Sequence, residues 1–436
     1  MKILLFGDTL GISQLLRHLP RDVIAGIIGS SIRPQYIDDL RALANSQRVP
    51  FLLQPKWKSK GYQSFIDRVY GLAPDLIWVN SYSMILREDL LLCARLGGIN
   101  LHASLLPRNR GCNPIQWAIL NGDCETGVSL HEIDHGLDTG PIIDMRKIPL
   151  FFEDSWLDVS HRLENAADVL ITKNIANILT GNWSAISQIN KNATVGKRRN
   201  PADSLFLWSQ PLVEIYNKVR ALLPPLPSAF YQDAAGQTYS LGVYQTIWQL
   251  ALLKYELGEE WAMQAEYVRL RPLRKSDADL FYEWIINRNF VTHNSPFFPV
   301  SESNREVWIE QLMTKHSDLV IFVIEDSLSG HPIGACQLVN INWIHRSAEL
   351  QIQISDSSFQ HWRYESEAIK LLSEFGFADL KLHRIYLTVF ASNQTAIETY
   401  EKCGFECHGT LKEAAQIDGR WVDGQVMVQL ESQHND

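Results

Sequence analysis

The sequence has no apolar run long enough to span a membrane, no positive surplus, no paired CxxC cysteines and no GxGxxG turn. The opening MKILLFGDT breaks its apolar run at Gly7 and Asp8 after four residues, too soon for a secretory signal, so a cytoplasmic, membrane-free protein is expected. A formal charge of -9 and a pI near 5.8 remove any global attraction to nucleic acid, which becomes a disfavoured partner. Six cysteines without metal-ligand spacing (Cys93, Cys112, Cys124, Cys336, Cys403, Cys407) argue for reduced structural thiols and against a disulfide framework or a metal site. The first strand-to-helix turn reads GDTLG, so a dinucleotide cofactor is not indicated.

What is present is a long soluble chain. At 436 residues, 46% hydrophobic and 20% charged, it has material for two or three domains. Over residues 1–96 short continuous apolar runs at 2–6, 23–28, 51–53 and 75–80 alternate with helical spacing at 12–19, 34–46 and 62–71. Strands separated by helical crossovers imply a parallel α/β sheet of the Rossmann kind. Tyr82, Met84, Ile85 and Leu86 follow the 75–80 strand in a loop that reads either as a core-capping segment or as an apolar slot with free backbone amides. Two further strand-like runs, 98–101 and 126–133, each deliver polar residues just beyond or near their ends: Asn100 and His102 from the first, Asp138 from the second. Carboxyl ends of parallel strands are where such sheets bind ligands, and an amide, an imidazole and a carboxylate suit acyl transfer.

The run INLHASLLPRNRGCNPIQWAILNG followed by ETGVSLHEIDHGLDTGPII resembles the formyltransferase family that uses 10-formyltetrahydrofolate. The resemblance covers about residues 1–250; its parts are Asn-x-His, SLLP, Arg-Gly and an Asp-Thr-Gly 36 residues after the His, with Ala103 standing where the family has Pro. It implies that Asn100 and His102 flank the formyl carbon while Asp138 orients or charges the imidazole. It also implies a folate pterin against Tyr82, Met84, Ile85 and Leu86, with Asp134 and Asp138 on the cofactor side, and a substrate side at Ser104, Leu105, Arg110 and Gly111. A lone His after a strand is ordinarily structural; the complete constellation reverses that reading. His131 and His135 match no motif and are expected to be bystanders. Residues 156–179, with Asp154 and Ser155 before and Gly181 after, read as a packing helix. Downstream, Lys197, Arg198 and Arg199, with Asn217 and Arg220 on a helix, either meet a phosphate-bearing substrate or form a solvated charge run. Residues 231–244, with the turn DAAGQ, read as a β-hairpin.

From about residue 266 to 432 the order of strands and helices becomes α+β, and FASNQTAIETYEKCGFECHG resembles the GNAT-type acetyltransferase superfamily. That resemblance implies acetyl-CoA as cofactor, Tyr400 as proton donor to the departing thiolate, and Asn393 and Gln360 at the cofactor. The phosphate loop departs from the superfamily: QHWRYESEA keeps Gln360 but carries Arg363 and Glu365 where small residues would let backbone amides close on a diphosphate. An anionic Glu365 there opposes acetyl-CoA binding. The expected architecture is therefore α/β, a Rossmann-like formyltransferase domain over residues 1–182 with a small β-containing extension over 183–258, followed by an α+β GNAT-like domain over 259–436. The expected function is N-formyl transfer from 10-formyltetrahydrofolate to a nucleotide-linked amino sugar of a surface glycan such as lipopolysaccharide, by an enzyme capable of forming a homodimer. Formyl and acetyl transfer combined, or methionyl-tRNA formyl transfer, are the alternatives.

Overall fold

The computed structural model describes residues 1–9, 11–259, 263–286, 304–314, 317–359, 362–417 and 419–434. The chain divides into two compact units, Met1–Asp203 and Ser204–Asp436.

In the first unit, strands β1 (Ile3–Phe6), β2 (Ile24–Ser30), β3 (Phe51–Gln54), β4 (Leu76–Asn80) and β5 (Gly98–His102) form the parallel part of one sheet. β1, β2 and β4 are buried along their whole length, which is why they read as unbroken apolar runs. Beyond the short β6 (Arg110–Gly111), β7 (Glu125–Glu132) and β8 (Ile142–Pro149) complete the order β3-β2-β1-β4-β5-β7-β8. β7 runs antiparallel to β5, with Asn100 opposite His131 and His102 opposite Ser129. The sheet is mixed, so Asp138 arrives on the β7–β8 connection and not at the carboxyl end of a parallel strand, correcting the simpler expectation. A two-residue period signals a strand without giving its direction or partner.

The helix Trp156–Thr180 covers this sheet. Ser155 accepts from the backbone of Asp158 while the Asp158 carboxylate returns to Ser155, and Gly181 ends the helix at φ 70. Its buried stripe includes Leu163, Leu170, Ile171 and Ile178, each such side chain contributing about 1.5–3 kcal/mol through burial. Beyond it a strap crosses back: Trp183 donates to Glu132, Ile186 bridges Ile142, and β9 (Val195–Gly196) pairs in parallel with β6.

In the second unit the hairpin expected around DAAGQ is present as β10 (Ala229–Gln232) and β11 (Thr238–Leu241). A seven-stranded sheet follows, built from β12 (Val268–Pro272), β13 (Val320–Asp326), β14 (Pro332–Asn342), β15 (Ser347–Ile354), β16 (Arg384–Phe390), β17 (Glu406–Ile417) and β18 (Arg420–Leu430). Its order is β12-β13-β14-β15-β16-β18-β17, antiparallel except for β15 with β16. Buried Arg271 is clamped between Glu325 at 2.6 Å and Asp277 at 2.7 and 2.8 Å, so its charge is paired inside the fold. Among the described residues no helix is long and apolar enough to cross a membrane.

Candidate active site

Asn100, His102 and Asp138 converge. The Asp138 carboxylate accepts the Gly111 backbone N–H at 2.8 Å and the Asn100 amide at 3.3 Å, and lies 3.6 Å from Nδ1 of His102. His102 is 7% exposed, and its Nε2 donates to the carbonyl of Asn109 at 2.8 Å. The partner atoms assign the tautomer: with Nε2–H on a carbonyl, the lone pair of the neutral ring sits on Nδ1, facing the carboxylate.

The electrostatics separate the two groups. Burial lowers the pKa of His102 against the opposing pull of Asp138 and Asn109. Burial alone would raise Asp138, but the His131 ring, the His102 ring and the Gly111 N–H outweigh it and hold the carboxyl at about 2. At neutral pH the pair is a neutral base beside an anion.

His131 belongs to this cluster, which corrects its reading as a bystander. It is 1% exposed, accepts from the Asn100 amide at 3.1 Å, and lies 3.5 Å from Asp138. Its Nδ1 donates to the Glu132 carbonyl at 2.7 Å, leaving Nε2 as the acceptor. Antiparallel pairing brings it there, because directly opposed side chains share a face. The Asn100 amide nitrogen thus has two internal partners, one of which it must exchange to donate to an oxyanion. His135 makes no contact within this cluster.

The remaining sequence-selected residues divide. Tyr82 packs edge-on against Phe6 at 5.3 Å and donates to Gln54 at 2.7 Å; Leu86 packs against the same core. Ile85 is 72% exposed beside them, and half-buried Met84 follows Ser83, whose N–H is held by Asp8 at 2.6 Å. Asp134 closes its own turn, accepting from Thr139 at 2.6 Å and Gly136 at 3.0 Å. Ser104 is buried, with its hydroxyl on the Arg108 carbonyl, and half-buried Leu105 adjoins Leu106, whose N–H is pinned by Ser129. Arg110, chosen as a substrate contact, is 6% exposed and bonds Gln188 and Asn190. Arg199 lies in the first unit, where its backbone N–H meets the Asn113 side chain and burial lowers its pKa. Asn217 and Arg220, in the second unit, are buried and joined to one another at 2.9 Å. Gln188, which sequence reasoning missed, donates to the carbonyls of Asp138 and Gly140. No motif flags a single glutamine in an irregular segment.

In the second unit, Gln360 lies outside the described residues. Asn393 caps the helix Gln394–Lys402, its side chain accepting from Ala396 at 3.2 Å. Burial and the neighbouring Glu365 push the Tyr400 phenol far above its ordinary pKa, so it stays protonated. Burial also raises the Glu365 carboxyl, which weakens the charge repulsion inferred from sequence. Arg363 reaches the Tyr267 hydroxyl at 2.8 Å. Among the described residues no group of three or more His, Cys, Asp or Glu could hold a metal ion.

Comparison with known proteins agrees with both halves. Residues 1–175 match the formyl transferase family and residues 268–406 the acetyltransferase (GNAT) domain family. Among solved structures, spermidine N-acetyltransferase from Vibrio cholerae in complex with CoA and spermine is 32% identical, over 39% of this chain and 99% of that one, with a TM-score of 0.36. A point mutant of the Vibrio cholerae enzyme is 33% identical over 38% of this chain and 96% of that one, with a TM-score of 0.34. A chimera of that enzyme with hSSAT is 29% identical over 39% and 99%, at 0.35. The chain is thus a transferase that joins a formyl transferase domain, residues 1–175, to a GNAT acetyltransferase domain, residues 268–406.

Proposed function

We propose that the chain is an N-formyltransferase moving the formyl group of 10-formyltetrahydrofolate to the amino group of a nucleotide-linked amino sugar in surface-glycan biosynthesis. The reading rests on one observation: a neutral, buried His102 beside an ionised Asp138, with Asn100 bonded to the same carboxylate. The donor set suits the group, since formyl transfer to an amine needs a base for the amine proton and donors for a tetrahedral oxyanion. The bound donor supplies an electrophilic formyl carbon. His102 takes up the proton lost by the attacking nitrogen at Nδ1, and Asp138, 3.6 Å away, stabilises the resulting imidazolium. Asn100 donates to the oxyanion after exchanging one internal partner, and the imidazolium returns its proton to the departing nitrogen. Tyr82, Met84, Ile85, Leu86 and Asp134 line the folate side in this reading, and Ser104, Leu105 and Gly111 the amine side.

An acidic chain favours a small sugar nucleotide over tRNA, whose binding leans on counterion release from a basic surface. The domain boundaries proposed with this function are 1–182, 183–258 and 259–436. The test is formyl transfer by the full chain to UDP-, dTDP- and CMP-linked 3-amino and 4-amino sugars, with initiator methionyl-tRNA as control. Turnover of the tRNA alone refutes the sugar assignment, and no turnover of any amine refutes the formyl-transfer reading.

A second reading adds acetyl transfer from acetyl-CoA by the GNAT domain. The protonated Tyr400 favours it, because a thiolate leaving group needs a proton donor. Calorimetry with acetyl-CoA on the full chain and on its Tyr400→Phe variant, followed by thiol release with an amino sugar, tests it.

A further inference from the structure

We propose that Gln188 is a positioning residue for the formyl-transfer site: it latches the backbone that carries Asp138, and Arg110 fixes the direction of that latch. The inference rests on the role given to Asp138 above.

Asp138 sits at φ 53, in the left-handed region that a side chain with a β-carbon enters at a cost. Its carboxylate reaches Asn100, Gly111 and the two histidines only if that backbone is held. The loop secures its own near half, where Asp134 bonds Gly136 and Thr139. The far half is secured from outside: Nε2 of Gln188 donates to the Asp138 carbonyl at 2.9 Å and to the Gly140 carbonyl at 2.7 Å.

The orientation of the Gln188 amide is not free. Its Oε1 faces Nε and Nη2 of Arg110 at 3.0 and 2.7 Å, and a guanidinium offers only donors. A flipped amide would set NH2 against N–H and oxygen against two carbonyls, losing all four contacts. Arg110 is buried, and its contacts, Gln188 and Asn190 at 3.0 Å, are neutral amide oxygens. A buried charge on an amide oxygen polarises that amide and strengthens what its nitrogen donates. The Arg110–Gly111 dipeptide therefore holds Asp138 twice, through the Gly111 N–H on its carboxylate at 2.8 Å and through Arg110 and Gln188 on its carbonyl. The strap carrying Gln188 is itself tied down by the Trp183–Glu132 bond and the Ile142–Ile186 bridge.

Two substitutions separate positioning from packing. Gln188→Glu keeps, and strengthens, the contact to Arg110 but offers oxygen where two carbonyls need a donor; Gln188→Ala removes both. Positioning predicts that both variants lose kcat by about ten- to hundredfold, the scale of a displacement near 1 Å, with KM for 10-formyltetrahydrofolate within twofold. It predicts also that Gln188→Glu, which keeps the partner of Arg110, unfolds later than Gln188→Ala. A Gln188→Glu enzyme with wild-type kcat would mean that Gln188 serves only to satisfy Arg110, and overturns the proposal. The second readout needs no turnover. Asp138 raises the pKa of His102, so a displaced Asp138 lets that pKa fall, measured by NMR of histidine-labelled full chain with His102→Gln as the assignment control. An unchanged His102 titration in both variants also overturns the latch. Wild-type chain that transfers no formyl group, yet whose His102 titration moves in both variants, sinks the functional reading and leaves the latch standing.

Discussion

Replacing Asp138 by Asn keeps the size of the side chain and removes its charge, and the structure sets how much that should cost. The carboxyl is held at about 2 against an ordinary 3.8, a depression worth roughly 2 kcal/mol at 1.36 kcal/mol per unit. A group whose pKa falls on folding stabilises the fold above its unfolded pKa and ceases to do so as pH drops through the folded value. The wild type should therefore exceed Asp138→Asn by about 2 kcal/mol at pH 7, with the gap closing between about pH 4 and pH 2. Urea unfolding of both proteins across that range measures it. Activity should fall further. An imidazolium 3.6 Å from a carboxylate gains about 4–5 kcal/mol at an effective dielectric near 20. Losing most of that in the transition state lowers kcat by roughly two to three decades, with KM for the formyl donor little changed. A stability gap that fails to close as pH falls from about 4 to about 2 would refute the charge assignment. Full kcat in Asp138→Asn would refute the catalytic one.

His102→Ala should abolish formyl transfer by about a thousandfold or more while near-native circular dichroism persists, because the ring sits at the end of β5 with two contacts to lose. His131→Ala should reduce kcat by about ten- to hundredfold through loss of the acceptor that holds the Asn100 amide; an unchanged kcat would return His131 to the bystanders. Gly111→Ala should destabilise the first unit by about 2–4 kcal/mol, since φ is 89 and an added Cβ would lie 2.7 Å from the Gly196 carbonyl; calorimetric unfolding reads this. Glu365→Gly should tighten acetyl-CoA binding by about tenfold or more, and wild-type affinity should weaken as pH rises and the carboxyl ionises. Isothermal calorimetry that finds neither change would remove Glu365 from the phosphate loop.

The parallel half of the first sheet was legible because strands buried on both faces are apolar along most of their length, as β1 is throughout and β2 and β4 are up to their last residues, Ser30 and Asn80. The helix Trp156–Thr180 was legible from its ends, where Ser155 and Gly181 do local chemistry. Asn100, His102 and Asp138 were legible as a motif. His131 was not, because its place depends on the direction and register of β7, which alternation cannot encode. Gln188 and the burial of Arg110 were hidden for a related reason. A long-range hydrogen bond between an irregular strap and a loop has no periodicity, and a sequence shows an arginine's charge without showing what surrounds it. The extended segment that is featureless in one dimension is therefore where the site gets its rigidity.

The pKa shifts of the pair explain why such rigidity matters. Burial makes His102 a neutral base and would equally neutralise Asp138, were the carboxylate not held by a backbone N–H and an amide. Moving Asp138 by an ångström loses donors on one side and the counter-charge on the other, since both depend on distance in a poorly screened interior. The carboxyl would drift upward while His102 drifted further down, and a proton arriving from an amine would find no ion pair to form. On the proposed mechanism the base keeps its strength only while the loop keeps its place, so Gly111, Arg110 and Gln188 would serve the same chemical step as His102 itself.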